Sequence, residues 1–345
     1  MTLELEYDEK RGMYLLNKIR VMVLPKGSLE ALQNSVNLIL GLATKGIFQE
    51  VSATVFYSFL QDLIKQKALK IRGGRTETDI FDLFKKLGFG RINEISRDID
   101  LHKISMEGNS NSFLNIMVSS PYCFNSIGLL TSIYRIVTNK DVEVTEEKCR
   151  STGDSDIDFF SASIKESKSQ YTYVPSQIFE NKNENLKKVD ILEDETDIFL
   201  NSIPSEIVPV TYFPYLFSKL RKLIGLGVYG IESQAGKELA KLYQQYNLQL
   251  IQEKYKLKGL DIMPVISGLG RIETLKTDLG YLMEVDIYNS FNALHIDEAL
   301  EKRCFLLSSL LSTLSYKLTG SSLKLNEKEC SALNNEVCKF SFERT

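Results

Sequence analysis

Gly88-Phe89-Gly90-Arg91-Ile92 recurs further along the chain as Gly268-Leu269-Gly270-Arg271-Ile272. The recurrence extends outward from these glycine pairs. Adding 181 to Cys123, Glu146, Cys149 and Phe159 leads to Cys304, Glu327, Cys330 and Phe340. An offset held to within one residue across about 70 positions marks an internal duplication, which decides architecture before any local propensity is weighed. Four of the five cysteines thus occupy matching places in two copies, and the fifth, Cys338, falls in the second copy alone.

The 345 residues allow two domains of ordinary size, each with its own core. A composition of 43% hydrophobic and 25% charged residues is that of a globular protein. The net charge of -3 disfavours direct nucleic-acid binding, which needs a basic face. Apolar runs such as Phe305 to Leu311 are too short to cross a bilayer. Met1-Thr2-Leu3-Glu4-Leu5-Glu6 lacks the basic and apolar regions of a secretory signal. The expectation is a cytoplasmic protein without a membrane segment. Its cysteines stay reduced there, as metal ligands or as buried packing, ahead of disulfides.

Hydrophobic spacing gives the coarse organisation. Leu29, Leu32, Val36, Leu40 and Leu42 follow a helical period, and so do Val51, Val55, Phe56, Phe59, Leu60 and Leu63. Glu77 to Leu87 reads as a third helix. Alternation over Ile92 to Ile104 and Phe113 to Val118 suits strands, Cys123 opens another helix, and Val142-Glu143-Val144 and Phe159-Phe160 read as short strands. The second copy repeats the order, with a helix over Ala235 to Lys254, a strand over Tyr281 to Tyr288 and a helix over Cys304 to Leu318. The fold class expected is α+β: two homologous modules, each with helices packed on a mostly antiparallel sheet. The first module covers 1–164 and the second 210–345. A polar linker spans 165–209, with a short helix near Asp190 to Leu200. Pairing of the modules as a pseudo-dimer, or of two chains as a homodimer, would bury helix faces around Val36, Leu38 and Leu40.

The ordered set of motifs, occurring twice, resembles the 4-vinyl-reductase-type small-molecule-binding domain, whose fold is shared with Golgi-tethering adaptor subunits and haem-based nitric-oxide sensors. That signature is a Gly-aromatic-Gly turn, a Cys-led helix, Glu-x-x-Cys, a short turn and Cys-x-Phe. The second copy carries Gly268-Leu269-Gly270, Cys304, Glu327-Lys328-Glu329-Cys330 and Cys338-Lys339-Phe340, with Leu269 in the aromatic place. The first carries Gly88-Phe89-Gly90, Cys123, Glu146-Glu147-Lys148-Cys149, Gly153-Asp154 and Phe159, and has Ile157 at the last cysteine position. In phenol-sensing transcription activators of this family the Cys, Glu, Cys and Cys positions bind a structural zinc. The resemblance therefore implies Cys304, Glu327, Cys330 and Cys338 as zinc ligands. Three thiolates and a carboxylate form a closed tetrahedral set that suits zinc. Such a site would pin the helix to the strand pair and add folding energy; the alternative is buried, reduced cysteines. In the first copy Cys123, Glu146 and Cys149 remain, but Ile157 cannot ligate. Asp156 and Asp158 would point away from the Ile157 face by strand alternation, so this degenerate site is expected to be empty, with Ile157 filling the space.

Rival motifs fare worse. Ser155-Asp156-Ile157-Asp158-Phe159 resembles the paired-aspartate strand of nucleotidyltransferases, but no Gly-Ser helix start precedes it. Neither Gly-x-Gly pair continues into a phosphate-binding fingerprint; both read as turns needing backbone freedom. His102 and His295, the two histidines, are not equivalent, which disfavours a triad or a haem shared by both copies. The leading functional expectation is a non-enzymatic ligand-binding or sensory regulator acting through a protein partner. A small hydrophobic ligand would sit in an apolar pocket, with Phe56, Tyr57, Phe59, Phe113 and Tyr134 as wall or core residues. The alternative is an adaptor subunit of a larger assembly, such as transcription or translation machinery, with no small ligand. Reductase activity is the weakest reading, since no redox-cofactor motif is present.

Overall fold

The computed structural model describes residues 3–70, 76–98, 100–108, 123–167, 172–179, 186–200, 203–245, 268–278, 281–291, 304–319, 323–333 and 337–344. The fold is α+β. A meander of β1 (Leu5–Asp8), β2 (Met13–Leu16) and β3 (Ile19–Pro25) opens the chain. The link from β2 to β3 is Asn17-Lys18, both at positive φ, the two-residue turn whose twist matches a hairpin. Helices α1 (Ser28–Leu40), α2 (Ala43–Lys65) and α3 (Thr76–Lys86) follow, then β4 (Arg91–Arg97), β5 (Leu101–Glu107), α4 (Phe124–Thr138), β6 (Val142–Lys148) and β7 (Asp158–Ile164). Four strands come next, β8 (Leu186–Lys188), β9 (Leu192–Glu193), β10 (Ile198–Leu200) and β11 (Ile203–Pro209). The second copy continues with α5 (Tyr212–Ile224), α6 (Val228–Gln245), β12 (Arg271–Asp278), β13 (Tyr281–Tyr288), α7 (Phe305–Thr319), β14 (Leu323–Glu329) and β15 (Val337–Arg344).

The duplication is visible in strand order. Two four-stranded antiparallel sheets run β4-β5-β7-β6 and β12-β13-β15-β14, the same order in each copy. Each carries a pair of long helices on its flank: α2 packs on α4, and α6 on α7. The stretch Phe113 to Val118, expected as a strand, lies outside the described residues, as do His295 and the end of the helix expected over Ala235 to Lys254.

A third sheet joins the copies. Its order is β8-β1-β2-β3-β11-β10-β9, with β3 and β11 antiparallel at the centre. Adding 184 to β3 gives β11, and adding 184 to α1 gives α5. In the β3–β11 register Val23 pairs with Ile207, which is its own equivalent under that offset. A residue paired antiparallel with its own counterpart marks a two-fold axis, so the chain is an intramolecular pseudo-dimer. The helices cross the same boundary: α1 packs against α6, and α2 against α5.

Three expectations are corrected here. The stretch 165–209, read as a polar linker, holds β8 to β11, and Ile207 and Val208 of β11 are fully buried. The helix expected near Asp190 to Leu200 is replaced by β9 and β10, where Ile198 and Leu200 face inward and Phe199 does not, a period of two. The helix face expected around Val36, Leu38 and Leu40 is also revised. Val36 is buried with Leu29 and Leu32, but Leu38 is 73% exposed, because two residues along a helix is more than half a turn.

Candidate metal centres

Each copy gathers four potential ligands from three elements. In the second, Cys304 stands immediately before α7 and its carbonyl accepts the first helical hydrogen bond, from the Ser308 N–H at 2.8 Å. Glu327 lies on β14, Cys330 follows that strand, and Cys338 is the second residue of β15. In the first, Cys123 is the residue before α4, Glu146 lies on β6, and Cys149 follows it. The fourth member is Asp158, the first residue of β7. Within each set, one ligand atom per residue lies within 4.8 Å of all the others.

Local irregularity makes this convergence. Residues three apart on a regular strand face opposite sides. Both copies break the register at equivalent places, between Glu146 and Lys148 and between Glu327 and Glu329. The extra residue of each bulge shifts the parity, so the glutamate and the cysteine three residues on share one side. A short 3-10 turn then carries the chain back, Arg150–Thr152 in one copy and Ser331–Leu333 in the other.

The sulfur spacing fits a tetrahedral ion. Cys304 Sγ is 3.8 Å from Cys330 Sγ and 3.3 Å from Cys338 Sγ, while Cys123 Sγ is 3.7 Å from Cys149 Sγ. Zinc–sulfur bonds of about 2.3 Å in a tetrahedron place sulfurs about 3.8 Å apart. A disulfide would need about 2.05 Å, and all five cysteines are free and buried. Backbone donors support the ligands in matching fashion. The Ser331 N–H donates to Cys338 Sγ at 3.3 Å, and the Arg150 N–H donates to Asp158 Oδ1 at 2.7 Å.

Burial sets the electrostatics. Desolvation raises Glu327 to about 8 and raises Glu146 likewise. Cys123 is driven up by burial first, and Cys304 by hydrogen bonding with Cys330 and Cys338. Cys338 moves the other way, its thiolate held by hydrogen bonds from Cys304 and Cys330 and by Ser331. Thiols and carboxyls forced together out of water resist ionisation unless a cation shares the space. The donor sets therefore suit a metal ion, with sulfur and carboxylate oxygen the combination that zinc accepts.

Of the residues singled out from sequence, Cys304, Glu327, Cys330 and Cys338 are brought together, and so are Cys123, Glu146 and Cys149. The treatment of Ile157 is corrected. It is only half-buried in the turn before β7, whereas Asp158 is 1% exposed and belongs to the cluster. The cause is a one-residue slip. Asp158 pairs with Met106 and Phe160 with Ile104, just as Cys338 pairs with Ile287 and Phe340 with Val285. Phe160, not Phe159, is thus the counterpart of Phe340. The signal was present in Phe159-Phe160, where matching the second aromatic would have put Asp158 opposite Cys338. Asp156 is exposed, so the two aspartates do not share a site.

Other residues named from sequence fall in the core. Phe56, Phe59 and Tyr134 are buried, Phe56 meeting Phe84 and Phe89 edge-on with centroids 5.7 and 5.1 Å away. Tyr57 accepts a hydrogen bond from Gln61, and Phe113 lies outside the described residues. The slot beside Phe56, Phe89 and Met106 has room for about one water. His102 is a packed core residue, 3.2 Å from Glu94 Oε1 and edge-on to Tyr134.

No protein-family model and no curated protein matches the chain. Solved structures similar to parts of it include the phenol-responsive sensory domain of the transcription activator PoxR with phenol. That match has 16% identity, covers 44% of this chain and 80% of that one, and has a TM-score of 0.37. A trafficking protein particle complex subunit 3 from Naegleria fowleri, covalently bound to palmitic acid, is similar at 16% identity over 42% of this chain and 98% of that one, TM-score 0.31. A vinyl-4-reductase family protein from Methanocaldococcus jannaschii shows 18% identity over 40% and 82%, TM-score 0.27.

Proposed function

We propose that this chain is a non-enzymatic, cytoplasmic binding protein that acts through a protein partner, with a structural zinc in its second module held by Cys304, Glu327, Cys330 and Cys338. In this reading the modules are 1–164 and 210–345, and the segment between them supplies β8 to β11 of the sheet they share. The observation that supports the zinc is the convergence of four ligand atoms within 4.8 Å, from residues separated by up to 34 positions. Four protein ligands fill a tetrahedron and leave no open position for substrate, which favours a structural over a catalytic ion. The ion would tie the start of α7 to β14 and β15.

Two kinds of binding fit the resemblance. A sensor would hold a small hydrophobic ligand in one of the modules. An adaptor would need no such ligand, and the close packing around Phe56 and Phe89 in the first module favours it there. Native mass spectrometry of the untagged protein from its own cells, with a zinc assay alongside, separates the readings. Zinc with a small-molecule adduct supports the sensor, and zinc with a bound protein and no adduct supports the adaptor. Cys338→Ser is expected to lose the second-module zinc and lower the thermal midpoint. Freshly isolated protein without zinc would overturn the metal assignment.

A further inference from the structure

We propose that the first module also binds a divalent metal ion, at Cys123, Glu146, Cys149 and Asp158, so that the chain carries two unequal metal centres. This site stands on observations of its own and does not rest on the second-module zinc. Strand register is the first of them. Asp158 occupies the sheet position of Cys338, since Met106 and Ile287, the residues they pair with, are equivalents under the 181-residue offset. The turn from Cys149 to Asp158 is one residue longer than the turn from Cys330 to Cys338, and the added residue lies in the loop before β7, so the carboxylate enters the cluster.

The second observation is the shared support. Arg150 and Ser331 are equivalents, and the N–H of each donates to the fourth ligand, Asp158 Oδ1 in one copy and Cys338 Sγ in the other. A backbone donor aimed at that place in both copies holds an anionic ligand, carboxylate or thiolate, in one orientation. The third observation is a buried acceptor that no donor reaches. Glu146 is 8% exposed; its Oε2 accepts from the Cys123 N–H at 3.2 Å, while its Oε1 is buried with no hydrogen-bond partner among the described residues. A buried carboxylate oxygen left this way is costly. A cation at the centre of the cluster satisfies it.

The donor set is two sulfurs and two carboxylate oxygens. It is closed and tetrahedral in count, and takes a borderline dication of the zinc or cobalt(II) kind. Replacing a thiolate by a carboxylate makes this centre harder than its partner. It therefore holds such an ion less tightly than the three-sulfur site, and releases it first to a chelator.

The test uses the full-length chain, reduced and metal-free, titrated with cobalt(II) alone and read through thiolate-to-cobalt charge transfer, with elemental analysis of the zinc-loaded protein. The expected result is close to two ions per chain, and close to one in Cys338→Ala, that one with the weaker charge-transfer band of two thiolates. Asp158→Asn should remove the first-site ion, and Asp158→Cys should retain it with a stronger band. The Cys variant answers the case in which the Asn variant fails to fold. One ion per chain that disappears in Cys338→Ala overturns this inference and leaves the second-module zinc standing. One ion that survives in Cys338→Ala but is lost in Asp158→Asn upholds it and removes the second-module assignment instead.

Discussion

Gly88 shows how much a single residue carries in this molecule. Its φ is +87°, a conformation that side chains strain to adopt, and a Cβ there would overlap the carbonyl oxygen of Ser205 on β11. The glycine turn of the first copy is thus seated on the strand of the second, and the Ile207 N–H donates to the Leu87 carbonyl at 2.7 Å. Gly268 mirrors it, with a Cβ that would come within 2.7 Å of the Tyr14 ring. Gly88→Ala is expected to destabilise the protein by about 2–4 kcal/mol, read as a lower urea midpoint. Gly46 is the control. It lies within α2 with open space where a Cβ would go, so Gly46→Ala should be neutral or stabilising by up to about 1 kcal/mol. If both substitutions moved the midpoint equally, the seat at Ser205 would not be what holds Gly88.

At the scale of elements, the two copies solve one packing problem with the same two residue types, exchanged. In the first, Gly128 of α4 lies against Ser52 of α2, and a Cβ at Gly128 would sit 2.5 Å from that of Ser52. In the second, the glycine is Gly236 of α6 and the serine is Ser309 of α7, with a Cβ at Gly236 falling 2.9 Å from that of Ser309. Adding 184 to Ser52 gives Gly236, and adding 181 to Gly128 gives Ser309, so one crossing point carries Gly–Ser in one copy and Ser–Gly in the other. The crossing admits one side chain. Gly236→Ser alone should cost about 2–3 kcal/mol, and adding Ser309→Gly should recover only a minor part of it, because a Cβ at Gly236 also falls 2.3 Å from the Leu306 carbonyl oxygen; a double-mutant cycle measures the coupling. Additive effects would show that the helices do not compete for that space. The same scale explains what was legible of the metal centres. The leading cysteine, the spacing Glu-x-x-Cys and the Cys-x-Phe of the second copy mark seven of the eight candidate ligands. Asp158 was obscured because the turn before β7 is one residue longer than its counterpart before β15, a slip that a single fixed offset cannot register.

Over the whole molecule, the β3–β11 pairing and the crossed helix contacts make each copy complete the other. Lys26, just after β3 and 1% exposed, sends its ammonium to Asp197 and the Gly108 carbonyl, tying the start of α1 to β5 and to the loop before β10. Below Gln33 of α1, Asn125 of α4, Ser52 of α2 and Tyr212 of α5 form a buried hydrogen-bonded network across the copies, with Tyr212 Oη donating to Asn125 Oδ1 at 2.5 Å. Such coupling should give one cooperative unfolding transition for the full chain. A fragment covering 1–164 would leave the β3 edge open and the Gly88 turn without its seat, and exposed strand edges associate. The fragment is expected to aggregate or to dimerise through β3, as size-exclusion chromatography would report. A monomeric fragment with native-like stability would mean the copies are independent. Asp197→Ala should lower stability by about 1–3 kcal/mol, because it leaves a buried ammonium with one fewer partner.

The sequence by itself carried a recurring set of motifs, an α+β pattern, and seven of the eight residues that cluster in the two sets of cysteines and carboxylates. Those features depend on residue type and on periods of two and 3.6, which a linear string records. Only the tertiary structure decided that the supposed linker supplies four strands, that Val23 meets Ile207 across a pseudo-two-fold, and that Asp158 stands where the other copy has Cys338. Pairing between strands about 180 residues apart leaves no local trace, since register is set by which faces are buried together once both segments are present. Which residue enters the cluster after a turn of changed length is likewise a property of its neighbours across the sheet.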